Sequence, residues 1–133
     1  MLALNWPGQM SYASVSQLAE ARAGFYHSWH PPVMAWLMGL FDSLVTGTGL
    51  FVAFNSLLAL FAFWSFAQPR RAAALTVLLA LAVMLTPQWL LYQGMVWKDV
   101  LFADAALAGF AALACAVRGK AFWYLPSIVA LAL

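Results

Sequence analysis

Thr48-Gly-Leu-Phe-Val-Ala-Phe-Asn-Ser-Leu-Leu-Ala-Leu-Phe-Ala-Phe-Trp-Ser-Phe-Ala-Gln68 holds no ionisable side chain, and Pro69-Arg70-Arg71 follows it at once. A helix over 48–68 rises ~1.5 Å per residue and reaches ~31 Å, enough to cross the hydrocarbon core of a bilayer. The rest of the chain agrees with this reading. Of 133 residues, 66% are hydrophobic, 16% aromatic and 8% charged, and the mean hydropathy is +0.89. Soluble domains carry about 25% charged residues over an exterior that must be largely polar. Six Lys/Arg and four Asp/Glu do not supply that exterior. A soluble enzyme and a disordered tail are excluded. So is a nucleic-acid-binding module, because a net charge of +2 is too small to track phosphates.

Working outward, the next uncharged run is Ala72–Trp97, longer than one crossing needs. Pro87 closes or kinks its helix, giving a span over 72–86 and a short aromatic-rich connection, Gln88–Trp97, at an interface. A third span covers 100–117 and stops at Arg118-Gly-Lys120. The last segment, 121–133, reaches ~20 Å as a helix, short of a ~30 Å core, and reads as a truncated span. Arg70, Arg71, Arg118 and Lys120 lie in short loops on one side, against Arg22 and Lys98 on the other. The positive-inside rule then turns residues 1–47 and 88–98 outward, as in a multi-pass protein of the bacterial inner membrane.

Within the outward region, Ser14-Val-Ser-Gln17 has capping-box spacing and Gly24 suits a left-handed stop, which predicts a short helix over Val15–Ala23. Pro31-Pro32 can open a helix. Over 33–46, Val33, Trp36, Leu37, Leu40 and Leu44 share one face, and Ala35, Gly39, Asp42 and Thr46 line another. That pattern predicts an interfacial helix lying along the membrane, with Gly47-Thr-Gly49 as the turn into the first crossing. The expected fold class is all-α: one integral membrane unit over 1–133. Cys115 sits among Leu113, Ala114, Ala116 and Val117 and reads as a small buried hydrophobe.

Few polar groups remain to carry chemistry. His27 and His30 stand three apart beside Phe25, Tyr26 and Trp29; they read as an interfacial aromatic belt, as metal ligands lacking a third partner, or as groups facing an anionic substrate. Trp97-Lys98-Asp99 falls where an outward loop re-enters the membrane. Asp99 suits a helix N-terminus and Lys98 suits a snorkelling anchor, yet both also suit a phosphate- and hydroxyl-binding rim. Asp104 lies one turn deeper, where a carboxylate needs a partner, and Asn55 or Ser56 of the first span is the expected one. Glu20 and Arg22 on the short outward helix are expected to be solvated, with Glu20 also a candidate polar contact. There is no Ser/His/Asp signature, glycine-rich phosphate loop or CxxC pair. No cofactor or metal site is implied.

Trp6-Pro-Gly8, Ser11-Tyr-Ala-Ser-Val-Ser-Gln17-Leu18, Trp29-His-Pro-Pro-Val-Met34 and Val96-Trp-Lys-Asp-Val-Leu-Phe-Ala103 occur in this order. Together they resemble the N-terminal part of bacterial polytopic membrane glycosyltransferases of the GT-C class. The resemblance covers nearly the whole chain but only the front of a typical, longer member. It implies transfer of a sugar from a polyprenyl-phosphate donor to an acceptor at the outer membrane face. It also implies that Lys98 binds the lipid phosphate, that Asp99 makes a catalytic or structural polar contact, and that His30 and Gln17 contact substrate. Relatives commonly carry an aspartate where this chain has Ala13, so the usual general base is replaced here. The resemblance further implies an opening helix before Trp6 and further helices after Leu133, and hence a piece inactive on its own. Two other functions fit the residues: a small non-enzymatic membrane subunit packing against a larger partner, and a proton-coupled transporter element built on Asp104.

Overall fold

The computed structural model describes residues 5–66, 73–118 and 121–133. The turns read at 69–71 and 119–120 therefore lie outside the described residues. The described residues are all-α, 77% helical, with seven α-helices among them. In order they are α1 (Tyr12–Ala23), α2 (Pro32–Leu44), α3 (Gly49–Phe66), α4 (Ala73–Met84), α5 (Pro87–Tyr92), α6 (Lys98–Val117) and α7 (Tyr124–Ala132). A 3-10 turn, Ala121–Trp123, leads into α7. Two two-residue strands, β1 (Gln9–Met10) and β2 (Met95–Val96), pair in parallel, with Gln9 opposite Met95 and Met10 opposite Val96.

α6 is the centre of the packing, with α3 on one side and α7 on the other. Its buried face is made of small residues, among them Ala105, Ala108, Gly109, Ala112 and Ala116, which let neighbouring backbones approach closely. Cys115 belongs to this face, as its apolar neighbours predict. A Cβ on Gly109 would lie 2.6 Å from Leu131 Cγ, and Ser127 Oγ of α7 donates to the Gly109 carbonyl at 2.9 Å. Phe51, Val52, Met34, Met38, Val96 and Leu101 form the apolar core where α2, α3, β2 and α6 meet.

The N-terminal segment straps this body. Trp6–Pro7 is a cis peptide, Thr48 Oγ1 donates to the Pro7 carbonyl at 2.9 Å, and Asn5 Nδ2 donates to the Leu90 carbonyl at 2.8 Å. The Trp6 ring occupies the space a side chain at Gly49 would need, so α3 begins where the strap crosses it.

α6 is long and apolar enough to cross a membrane, and just over half of it is buried inside the protein. α2 and α3 meet that measure jointly but are bent by 116° at the Gly47 turn, where φ is +109°. The expected boundaries at 48–68 and 100–117 fall close to α3 and α6. α4 has 12 residues, and none of its side chains whose burial is described is buried.

Several local expectations need correction. The N-cap of α1 is Ser11, not Ser14: Ser11 Oγ accepts from the Ser14 amide at 3.3 Å, and Ser14 lies inside the helix, 1% exposed. Both serines have capping chemistry; the strand ahead of Ser11 decides which is used. Gly24, at φ +67°, ends α1 as expected. The interfacial helix read at 33–46 runs from Pro32 to Leu44 and buries Met34, Ala35, Leu37 and Met38, whereas Val33, Trp36, Leu40 and Leu44 are exposed. Leu37 thus parts from the face assigned to it, because α1 covers the other side of the helix. The connection 88–97 is not irregular: Thr86 caps α5, Pro87 is its first residue, and β2 follows. The segment 121–133 divides into a 3-10 turn and α7.

Arg22 is not simply solvated. Its guanidinium grips Asp42 with two hydrogen bonds of 2.8 and 2.7 Å, and Asp42 Oδ1 also accepts from the Gly47 amide at 2.8 Å. The Arg22 bond first, then the Gly47 amide, holds the Asp42 carboxyl at about 2. The same bond raises the Arg22 pKa. Asp104 does not bond Asn55 or Ser56. Gln93 Nε2 donates to its two oxygens at 2.9 and 3.0 Å, and both Asn55 amide atoms are buried with no partner among the described residues. α5 and β2 bring Gln93 over α6, a placement no spacing within the third span could reveal.

Candidate functional site

The cleft forms where three separate segments converge. Ser14 Oγ donates to the Val96 carbonyl, and Gln9 N donates to the Gly94 carbonyl at 2.7 Å. These bonds tie the start of α1 to the strand that leads into α6. The first turn of α6 thereby faces α1, and the Trp29-His30 segment ahead of α2 closes the third side.

The result is a cleft of about 560 Å³ lined by Ala13, Gln17, His30, Trp97, Lys98 and Asp99, among others. All four residues singled out by sequence, Gln17, His30, Lys98 and Asp99, line this one space. Gln17 forms part of its floor and is 2% exposed; His30 is half-buried, and Lys98 and Asp99 are exposed. Ala13 also lines it, so position 13 belongs to the cleft and brings no carboxylate to the α1 wall. Trp29, 90% exposed, and Tyr12, 92% exposed, stand at the rim.

His27 does not join His30. Its ring meets Phe25 edge-on at 5.0 Å, and its amide donates to Glu20 Oε2 at 3.4 Å. Among the described residues, no three His, Cys, Asp or Glu side chains gather as a metal ion would require.

Asp99 lies in the first turn of α6, where the positive end of the helix favours a carboxylate. It has a second role in the geometry, because it also lines a neighbouring cavity of about 400 Å³ with Trp89, Tyr92, Trp97, Gln93 and Asp104. Sequence reading gave no sign of Trp89, Tyr92 or Gln93 as site residues; their positions depend on α5, a two-turn helix hidden in what read as a connection. Chemically, the cleft offers an ammonium, an imidazole, an amide and one carboxylate to a polar ligand, with indole rings at its edge. No family model, curated protein or solved structure was found to match this chain. Fold and cleft define an all-α protein whose polar groups gather at one end of an apolar helix.

Proposed function

We propose that this chain is the donor-binding front of a GT-C-like membrane glycosyltransferase, taking a sugar from a polyprenyl-phosphate donor at the outer face of the bacterial inner membrane. One observation carries the reading. The segments that bear the resemblance, 11–18, 29–34 and 96–103, are far apart in the chain, yet Gln17, His30 and Lys98 from the three line the same cleft.

The chemistry follows from those groups. The Lys98 ammonium holds the donor phosphate with charge-assisted bonds, and His30 and Gln17 orient the sugar. Asp99, the carboxylate lining the cleft, takes the proton from the acceptor hydroxyl as that oxygen attacks the anomeric carbon. The bond from that carbon to the phosphate oxygen breaks, and polyprenyl phosphate leaves on Lys98. With alanine at position 13, acceptor activation rests on Asp99 alone. The apolar exterior supports membrane residence: Leu57, Leu60, Leu75, Leu78, Phe110 and Ile128 are all at least 45% exposed, a surface suited to lipid.

A small subunit packing against a larger membrane partner is the alternative, and the uncovered sides of α4 favour it. A photoactivatable polyprenyl-phosphate sugar, used on the chain in nanodiscs, separates the two. Labelling competed by polyprenyl phosphate but not by the uncharged polyprenol, and lost in Lys98→Ala, is the expected result. Equal competition by the alcohol, or labelling indifferent to Lys98→Ala, overturns the glycosyltransferase reading. In a chain restored to the full length of such an enzyme, Ala13→Asp is expected to raise transfer of a labelled lipid-linked sugar.

A further inference from the structure

The 400 Å³ cavity beside the cleft differs from it in charge. The cleft has His30 and Lys98 beside Asp99; the ionisable side chains lining the cavity are the shared Asp99, Asp104 and the Tyr92 phenol. Asp104 is 2% exposed and Gln93 3%. Gln93 spends its Nε2 on both Asp104 oxygens, at 2.9 and 3.0 Å. Among the described residues its Oε1 is buried without a partner, and so is Nε1 of Trp89, which lines the same cavity. Among the described residues, no Lys, Arg or His lies within ion-pair distance of Asp104.

We propose that this cavity binds an organic ammonium ion, a small amine or quaternary ammonium group. A carboxylate removed from water is costly unless a cation accompanies it, and none of the protein's described cations does. Aromatic faces attract such cations. Tyr92, Trp97 and Trp89 all line this cavity; the first two rings tilt against each other at 6.4 Å and 56°, and Trp89 packs at 5.3 Å and 76° against Phe63 of α3. Gln93 Oε1 accepts from an N–H or O–H of the ligand, and an oxygen on that ligand answers the Trp89 indole N–H. A neutral sugar would stack on the same rings but would leave the carboxylates uncompensated. A bare metal ion would need several oxygen ligands and make no use of the three aromatic rings. The proposal stands on Asp104, Gln93 and the aromatic lining and does not rest on the glycosyltransferase reading, with which it shares Asp99.

The same ammonium chemistry comes from a free solute or from a lipid headgroup, and one experiment distinguishes them. Choline is titrated into the full chain in phosphatidylglycerol nanodiscs, with saturation-transfer NMR of its methyl protons as readout and 3,3-dimethylbutanol as the uncharged isostere. Saturable choline binding, about tenfold tighter than the isostere, is expected. Asp104→Asn keeps the shape of the buried side chain and is expected to weaken choline at least about thirtyfold. Asp99→Asn, at an exposed position, weakens it less and stands in if Asp104→Asn fails to fold. Loss of free-choline binding in phosphatidylcholine nanodiscs assigns the headgroup as the source; unchanged binding assigns the free solute. Equal binding of choline and its isostere, no choline binding, or indifference to the foldable variants overturns the proposal.

Discussion

Ser14→Ala tests how the cleft is assembled. α1 buries few side chains, Ser14, Gln17 and Leu18, so most of its hold on the body depends on specific contacts rather than on apolar area. The Ser14 hydroxyl donates to the carbonyl of Val96, a residue 0% exposed, and lies 2.9 Å from Ser11 Oγ. Removing it strips a buried acceptor of this donor, a loss of about 1–3 kcal/mol, with almost no change in packed volume. Expressed as opening of α1 from β2, that is a roughly 5- to 150-fold faster amide hydrogen exchange across α1. Exchange measured by mass spectrometry on the chain in nanodiscs reads this directly, with α6 amides as the internal reference. Ser11→Ala is the control. It removes the N-cap, a loss of about 0.5–2 kcal/mol, and frays the first turn alone. Exchange over Leu18–Ala23 that stays within about twofold of wild type in Ser14→Ala, with α6 protected, would refute the claim that this hydroxyl fastens the cleft wall.

Two further outcomes follow from the packing. Asp42 has a depressed pKa of about 2, so the Arg22 clamp stabilises the folded state above the ordinary carboxylate range and loses that contribution as pH falls through about 2. Asp42→Asn is expected to flatten the pH dependence of α1–α2 separation between pH 4 and 2, followed by fluorescence transfer between labels on the two helices; an unchanged profile contradicts the assignment. Gly109→Ala gains about 1 kcal/mol of helix propensity but places a methyl 2.6 Å from Leu131 Cγ and 2.8 Å from Cδ2. Overpacking of this kind costs about 1–3 kcal/mol, so a net loss of up to ~2 kcal/mol is expected in denaturation by sodium dodecyl sulfate, and a stabilised variant rules out the close α6–α7 approach.

Much of the helical order was legible in the chain. Gly24 and Pro32 each act as read, since a left-handed stop and a proline at the first helical position are local facts; Pro87 was legible as the end of one helix and not as the first residue of α5. Lys98 and Asp99 were visible as the polar start of an apolar helix. The cap at Ser11 was not legible, because Ser11 and Ser14 offer the same hydroxyl and differ only in what lies across from them. The same limit applied to Arg22, whose partner Asp42 lies twenty residues away on another helix.

The amino-acid sequence by itself determined an all-α chain with an apolar exterior, because a helix closes its backbone hydrogen bonds within itself and the scarcity of charge is a property of composition. Tertiary structure alone decided which polar groups share a space. α3 and α4 are apolar on every side, so no pattern within them says which face meets which neighbour. Gathering Gln17, His30, Lys98 and Asp99 into one cleft, and setting Gln93 on Asp104 beside it, required the β1–β2 pairing and the bend at Gly47.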